Sequence, residues 1–433
     1  MFGSVKPPAY PDYQRPCGWN ALLPPRQPTQ SLTSDVACDV VIVGAGYTGL
    51  AAARRFAERA PQSHIVVLDS SEVGEGNPGR NSGFMLDIAL ANDARAGEVE
   101  RMKACNRLLA GTMQDIKNLV AEHGIACELA KSGTWRAAAG SAGVAALRRY
   151  RDFLEATGLE FEMLGRPALR NRLGTNYYRE ALYSPDCHLV QPAALIRGMA
   201  GHLPPAVTLR ENSPAVGIER DGGSWRVLTP QASVVAPDVI LANNAFSRQL
   251  GPGRSRMAAV YTFAALTESC PDSVPDTGDQ AGWGLLPAHR LGSSLRRSTD
   301  GRFLIRSLYA YEKEPDNGQM AEKLRRSLQR RYPQLAAIPF ASVWSGATGF
   351  TLNGAPLWGR VAPGLFVSAG CNGGGIVKGT LFGSRLADLV LGTESPEIPA
   401  LFGTASWMPP DPLRSLGFRL TSGLQRYRGR AEM

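Results

Sequence analysis

The sequence predicts an α/β protein whose parallel βαβ core is interleaved with an inserted α+β part that contains an antiparallel sheet. Three observations predict this class. Residues 38–69 have the pattern of strand, glycine turn, helix and strand, short strand patterns recur between 207 and 241, and a last buried strand precedes a helix over 378–391. A chain of 433 residues is long enough for one large domain or two interleaved ones.

The first βαβ unit is the most regular part of this pattern. Residues 38–43 are a β-branched run that stops at glycine, which is typical of a buried strand. Residues 48–60 carry apolar side chains at helical spacing, and residues 65–68 form a second buried run that ends at Asp69. Together they have the length and order of a βαβ unit.

The turn of this unit has the pattern G-x-G-x-x-G, formed by Gly44, Gly46 and Gly49. The first glycine permits a tight turn, the second lets a pyrophosphate approach the backbone, and the third lets helix and strand pack closely. The helix amino terminus then offers N–H groups to a phosphate. Asp69, at the end of the second strand, can accept hydrogen bonds from ribose hydroxyls and disfavours a 2′-phosphorylated cofactor. The unit predicts dinucleotide binding without choosing between NAD and FAD.

The rest of the chain favours FAD. After Asp69 the βαβ pattern stops at a glycine-rich stretch, 70–83, which is suited to wrapping a large cofactor. A second glycine cluster, 373–375, precedes the last predicted helix and lies in a stretch of 46 residues, 332–377, whose one charged residue is Arg360. N–H groups at a helix amino terminus suit the partly anionic edge of a flavin ring. Two separated glycine clusters fit FAD, the longer cofactor, better than NAD.

Composition narrows the class of protein further. The formal net charge of +9 is spread along the chain and concentrates only weakly in the tail after residue 411, which favours a solvated basic surface over a nucleic-acid site. The seven cysteines are dispersed and form no C-x-x-C pair, so we expect neither a disulfide framework nor a metal site. No apolar segment has the pattern of a signal peptide or a membrane span, and we expect a cytoplasmic protein.

These residues resemble the FAD-dependent D-amino acid oxidase (DAO) superfamily over residues 36–395. The segments that carry the resemblance keep the family's order and spacing: CDVVIVGAGYTGL (38–50), GNPGRNSG (76–83), HLVQPAAL (188–195), DVILANNA (238–245) and GLFVSAGCNGGGIVKGTLFGSRLADLVLG (364–392). The Gly-Arg-Asn triplet, 79–81, looks most like the γ-glutamylputrescine oxidase and pipecolate oxidase-like branch. The resemblance implies a Rossmann-like FAD-binding domain of the GR2 type.

Carried over position by position, the resemblance implies a set of cofactor-binding residues. They are Gly44, Ala45, Gly46, Tyr47, Thr48, Gly49, Asp69, Ser70, Gly79, Arg80, Asn81, Ser82, Val216, Asn243, Gly373, Gly374, Gly375 and Ile376. No residue matches a covalent attachment point of the family, so we expect non-covalent FAD.

The expected domain organisation is discontinuous. An amino-terminal arm, 1–35, precedes an FAD-binding domain made of 36–94, 188–255 and 345–395. A substrate domain is expected over 95–187 and 256–344, and a basic tail over 396–433.

The resemblance implies oxidation of the C–N bond of a primary or secondary amine, such as an amino acid, a cyclic imino acid or a polyamine derivative. Hydride transfer to flavin N5 gives an imine, and O2 or a quinone-type acceptor reoxidises the flavin. For the substrate we expect Lys378, Tyr309, Tyr261 and Trp344, with Phe350 as a further wall; we assign no catalytic acid or base.

Two alternatives stay open at this point. The same fold resembles the oxidase part of a tRNA-modifying enzyme, and the net charge of +9 is compatible with an RNA-acting flavoprotein. A nicotinamide-dependent dehydrogenase would carry no tightly held chromophore and would form NADH in proportion to substrate.

Overall fold

The computed structural model describes residues 9–88, 98–271, 274, 277–278 and 281–433. Within these residues the helices are α1 (Gly18–Ala21), α2 (Tyr47–Arg59), α3 (Asn77–Arg80), α4 (Val99–Glu122), α5 (Ser141–Thr157), α6 (Arg166–Leu173), α7 (Pro192–Gly201), α8 (Asn317–Arg331), α9 (Val377–Val390), α10 (Glu397–Phe402) and α11 (Leu413–Arg428). The strands are β1 (Val36–Ala37), β2 (Val40–Val43), β3 (Ile65–Leu68), β4 (Phe84–Met85), β5 (Ala130–Lys131), β6 (Thr134–Ala138), β7 (Glu162–Gly165), β8 (Glu180–Ser184), β9 (His188–Leu189), β10 (Val207–Arg210), β11 (Gly217–Asp221), β12 (Ser224–Leu228), β13 (Ser233–Ala236), β14 (Asp238–Leu241), β15 (Met257–Thr267), β16 (Trp283–Pro287), β17 (Ser294–Arg297), β18 (Phe303–Tyr311), β19 (Phe340–Thr351), β20 (Leu357–Ala362) and β21 (Leu365–Ala369).

A parallel sheet lies at the centre of the cofactor half, as predicted. Its order is β10-β3-β2-β14-β21-β20, and all neighbours are parallel except β20 and β21. Every residue of β2 and β3 is buried, because both faces of this sheet are covered. Parallel strands end at the same edge, so the loops after Val43, Leu68, Leu241 and Ala369 meet there. The predicted α/β class is confirmed.

The last of the strand patterns predicted between 207 and 241, at residues 234–241, forms two strands. Residues Ser233–Ala236 belong to a four-stranded sheet of order β1-β13-β12-β11, and Asp238–Leu241 belong to the parallel sheet. Pro237 lies between them, and proline cannot donate a ladder hydrogen bond. The chain changes sheets at this residue.

The second large element is an eight-stranded sheet of order β19-β15-β18-β17-β16-β6-β8-β7, in which all neighbouring pairs but β16 and β6 are antiparallel. One face packs in a core with α8, through side chains such as Tyr261, Phe263 and Leu324. The predicted domain boundary between 344 and 345 falls inside β19. A three-stranded sheet, β4-β9-β5, completes the set within the described residues.

The described parts of the two ends of the chain pack onto the rest of the molecule. Cys17 and Trp19 of the predicted arm are buried, and the basic tail forms α10 and α11 and then inserts the buried Glu432 against the backbone N–H groups of Ala139 and Gly140. Residues 1–8 and the boundary predicted between 94 and 95 lie outside the described residues. Among the described residues, no helix is long and apolar enough to cross a membrane.

Candidate active site

A cavity of about 1140 Å³ extends from the carboxyl edge of the parallel sheet to one face of the eight-stranded sheet. Fourteen of the predicted cofactor residues line it: Gly44, Gly46, Tyr47, Thr48, Asp69, Ser70, Arg80, Asn81, Ser82, Asn243, Gly373, Gly374, Gly375 and Ile376. The other four do not. Ala45, Gly49 and Gly79 lie directly beside lining residues, and Ala215 lines the cavity in place of the half-exposed Val216, whose N–H donates to the carbonyl of Leu228.

The glycine turn is built by close backbone contacts. Gly44 has φ +105°, a conformation that favours glycine, and a β-carbon at Gly49 would overlap the carbonyl oxygen of Gly44. A β-carbon at Gly383 would likewise overlap the carbonyl oxygen of Thr48, so α9 packs directly against the start of α2. Because the first turn of a helix has N–H groups without intrahelical acceptors, the start of α2 presents donors to the cavity.

Asp69 closes this turn from the end of β3. Its carboxylate accepts hydrogen bonds from the backbone N–H groups of Ala45 (2.7 Å) and Ser71 (3.1 Å). Burial raises the pKa of Asp69, and these two hydrogen bonds oppose the rise. The carboxylate therefore stands between the glycine turn and the cavity, where it can also accept from a hydroxyl group.

The loop that leads into the second glycine cluster is held by Asn244, which follows β14. Its Oδ1 accepts from the N–H of Gly370 (2.9 Å), and Asn372 is tied to Thr351 in turn. Gly373 has φ +92°, and a β-carbon at Gly375 would meet no atom within 4 Å. The cluster thus presents bare backbone to open cavity space immediately before α9 begins.

Two polar side chains in the cavity fit a bound cofactor. The Oγ of Ser82 and the Oδ1 of Asn243 are buried without a hydrogen-bond partner among the described residues. Buried polar atoms are normally paired. Because both atoms line the cavity between the two glycine clusters, a polar ligand lying there would satisfy them.

Arg80 lines the cavity, and most of its polar contacts are with the protein itself. Its side chain is buried and donates to three backbone carbonyls, those of Glu75, Arg15 and Ser345, and its guanidinium lies 3.9 Å from the ring centroid of Tyr13. These contacts join the arm, the loop before α3 and β19. Arg80 borders the cavity but is engaged chiefly with the protein backbone.

The eight-stranded sheet contributes the opposite wall. Alternate residues of β15 and β19 face the cavity, including Val260, Thr262, Thr348 and Phe350. In β18 an irregularity at Leu308, with φ +62°, interrupts the alternation, so that Arg306, Tyr309 and Tyr311 all line the cavity.

Two predicted substrate residues do not line the cavity. Tyr261 points to the other face of β15, into the core with α8, because Val260 and Thr262 on either side of it take the cavity face. Trp344 is fully buried against Trp19, and its indole N–H donates to the carbonyl of Arg80 (3.1 Å). The arm covers that end of the sheet, so Trp344 is a packing residue rather than a pocket wall.

The other two predicted substrate residues line the cavity. Tyr309 lies in the cavity wall, and Lys378 lies at the start of α9, with its ammonium 5.8 Å from the ring centroid of Phe402.

Sequence reasoning missed Arg306. Its Nε donates to Thr262 Oγ1 (3.2 Å), and within the described residues its two terminal nitrogens have no hydrogen bond. One signal was present in the sequence, since Arg306 is the charged residue in a segment with strand-like alternation, 303–310, that is otherwise apolar or uncharged. Periodicity could not show which face it takes.

The charged side chains that line the cavity are mostly basic. Among its described lining residues the acidic side chain is Asp69, and the basic ones are Arg80, Arg136, Arg149, Arg290, Arg306, Lys378, Arg414 and Arg428. His289 also lines the cavity, and burial lowers its pKa, so it is neutral at neutral pH. This arrangement favours anionic ligands.

Comparisons with known proteins agree with this geometry. A family model described as FAD dependent oxidoreductase (DAO) matches residues 39–389. A probable oxidoreductase OrdL of Haemophilus influenzae is 27% identical over 401 residues, which cover 86% of this chain and 89% of that protein. The γ-glutamylputrescine oxidoreductase of Escherichia coli is 25% identical, with 84% and 86% covered.

Solved structures share the fold. Glycine oxidase from Geobacillus kaustophilus superposes with a TM-score of 0.73 at 20% identity and covers 86% of this chain and 100% of its own. The family model spans most of the chain and both glycine clusters. The protein therefore belongs to the FAD-dependent oxidoreductase family of the DAO type, and its cofactor is FAD.

Proposed function

We propose that this flavoprotein oxidises the C–N bond of an amino acid, or of another primary or secondary amine that carries a carboxylate. One observation carries the proposal: a cavity lined by basic side chains joins the two glycine clusters to the face of the eight-stranded sheet. A pyrophosphate accounts for anion binding at the glycine turn. The basic residues on the sheet side are left to bind an anionic substrate group.

Arg306 is the proposed carboxylate-binding residue. A guanidinium can hold a carboxylate through two parallel hydrogen bonds, and the terminal nitrogens of Arg306 have no acceptor among the described residues. Tyr309 and Lys378 line the same cavity and stay candidates for the second contact to the substrate. Val260 and Phe350 supply apolar wall for the carbon skeleton.

The cofactor is expected to occupy the region between the two glycine clusters. Backbone N–H groups at the start of α2 would hold the pyrophosphate and Asp69 the adenosine ribose, while the N–H groups near Gly375 and the start of α9 would face the flavin ring. When bound, FAD supplies the chemistry, since it accepts a hydride equivalent from the carbon beside the nitrogen. The product is an imine, which water hydrolyses when the imine is acyclic.

The neighbouring side chains bear on how FAD is attached. Cys371 lines the cavity, and burial raises the pKa of its thiol. A protonated thiol is a poor nucleophile. We therefore propose non-covalent FAD, which acid precipitation of the protein would release completely into the supernatant.

A matched substrate panel tests the proposed function. Each amino acid or imino acid is paired with the amine that lacks its carboxylate, and turnover is followed by peroxide formation in air and by reduction of an artificial acceptor under argon. We expect turnover of at least one carboxylate-bearing amine and a much lower kcat/KM for its decarboxylated partner. Equal kcat/KM values across every pair would contradict the substrate class, and the two detection arms distinguish O2 from a quinone-type acceptor.

A further inference from the structure

Helix α11 is oriented with its apolar side chains outward. Its exposed stripe is formed by Leu416, Leu420, Leu424 and Tyr427, which are between 49% and 75% exposed, and Leu413, at the start of the helix, lies where the stripe meets the rim of the cavity. The side that faces the protein carries Arg414, Phe418, Ser422 and Gln425. A surface helix of a globular protein normally has the reverse arrangement.

The inward side of α11 is held in place by specific contacts. Arg414 donates to the carbonyls of Arg254 (3.0 Å) and Met257 (3.1 Å), and the ring centroids of Phe418 and Tyr311 lie 5.2 Å apart. Arg426 donates to the carbonyl of Tyr309 (2.8 Å). These contacts fix the orientation of the helix, so the leucine stripe is a stable feature of the surface.

Two further large apolar side chains are exposed outside the helix. Trp407, shortly before α11, is 63% exposed, and Leu352 is 65% exposed. The segments that carry them are joined, since the side-chain carbonyl of Asn353 accepts from the N–H of Ser406 (3.2 Å). Exposed apolar patches of this kind mark interaction sites, and tryptophan is enriched where protein meets the membrane interface.

The charge beside the stripe favours one of two possible partners, a second copy of the chain or a lipid surface. Arg414 faces the protein and pairs with Asp411 (3.0 Å), so it adds little to the exposed charge. Of the other arginines of α11, Arg419 and Arg426 lie on one flank of the stripe in a helical projection, and Arg428, which also borders the cavity, lies on the other. A second copy of the chain packed on this stripe would bring arginines against arginines, which is unfavourable. An anionic lipid surface would bind the arginines through its headgroups and the leucines through its acyl boundary.

We propose that α11 is an interfacial helix that docks the protein on an anionic membrane surface. The helix lies in the plane of the interface with its leucine stripe inserted and its arginines at headgroup level. Because the opposite side of α11 lines the active-site cavity, docking places that cavity within about one helix diameter, roughly 10 Å, of the membrane. The proposal does not depend on the substrate, since its readout is binding to lipid.

Vesicle cosedimentation of the full-length holoprotein tests this inference. We expect binding to vesicles of equimolar phosphatidylcholine and phosphatidylglycerol, weaker binding at high salt, and little binding to phosphatidylcholine alone. The double variant L416S/L420S should lower the partition coefficient at least about tenfold, and R419E should lower it about tenfold. The matched controls V361S/L391S and R107E change exposed residues outside the stripe and should bind as the unaltered protein does.

Three results would overturn the inference. One is the absence of binding to the anionic vesicles by folded, flavin-containing protein. Another is a concentration-dependent dimer that L416S/L420S dissociates, without vesicle binding, because a second copy would then occupy the stripe. The third is tRNA binding that R419E abolishes and the leucine changes leave intact, which would assign the surface to nucleic acid.

Discussion

The carboxylate of Asp69 accepts a hydrogen bond from the backbone N–H of Ala45 at 2.7 Å, and this contact joins the end of β3 to the glycine turn. The same carboxylate is the proposed acceptor for the adenosine ribose. Replacing it with an amide, Asp69→Asn, removes one acceptor, and we expect FAD affinity to fall about tenfold or more. Titration of the apoprotein with FAD measures this change.

The pH dependence follows from the raised pKa of Asp69. On acidification the Asp69 carboxyl group protonates at a higher pH than an ordinary aspartate. FAD affinity should therefore begin to fall at that higher pH. Stability of the apoprotein has the opposite sign: a carboxyl whose pKa is raised by folding contributes stability below its ordinary pKa, which is lost as pH rises through the folded-state pKa. The trend in FAD affinity should disappear in Asp69→Asn and persist in Asp238→Asn, a control at a half-buried aspartate outside the cavity lining whose pKa is also raised. The trend in stability should become smaller in both variants, because burial raises the pKa of each of these carboxyl groups.

Gly375 tests the position of the flavin. A β-carbon there meets no protein atom within 4 Å, so Gly375→Ala should fold normally. If the flavin ring packs on this backbone, the added methyl group should lower FAD affinity about tenfold or more. Gly111→Ala, in α4, also has open space and should leave FAD binding unchanged. Unchanged affinity in both variants would place the ring elsewhere.

Arg306 tests the substrate class. Hydrogen bonds to charged groups contribute about 1.5–3 kcal/mol, so Arg306→Gln should lower kcat/KM for the carboxylate-bearing substrate by about 10-fold to 150-fold. The flavin content should not change. Arg325→Gln, whose guanidinium lies over Phe340 outside the cavity, serves as the control. An effect of equal size on a decarboxylated amine would argue against carboxylate binding.

Trp344 tests the distinction between packing and substrate contact. Trp344→Phe removes the indole N–H that donates to the carbonyl of Arg80 in a fully buried site, and we expect a loss of about 1–3 kcal/mol in the free energy of unfolding. Thermal or chemical denaturation measures this loss. A changed substrate preference with unchanged stability would restore Trp344 as a pocket residue.

The cofactor half could be predicted from sequence because its signals are local. Gly44 needs glycine for its φ of +105° and Gly49 because a β-carbon would overlap the carbonyl oxygen of Gly44, and Asp69 ends a strand whose buried run is visible in the sequence. The second cluster is equally local, since it directly precedes α9. The two segments are about 330 residues apart, so the sequence joined them only through the length of the cofactor, and the family resemblance then supplied their order and spacing.

The substrate half could not be predicted to the same degree, because it depends on register and on distant segments. The irregularity at Leu308 shifts the face that Tyr309 takes, and Tyr261 is separated from the cavity by the alternation of a fully buried strand. Trp344 is on a cavity-facing strand but is covered by the arm, which lies more than 300 residues earlier in the chain. The periodicity of the sequence identifies the apolar stripe of α11. It does not show whether that stripe faces the protein or the solvent.

Anaerobic titration of the purified protein with carboxylate-bearing amines tests the central claim most directly. We expect the protein to carry the visible absorbance of oxidised flavin, and the correct amine to bleach it in proportion to the amount added, with the imine or its hydrolysis product formed in equal amount. Protein that binds no flavin, or bound flavin that no amine or amino acid in the panel reduces, would contradict the account.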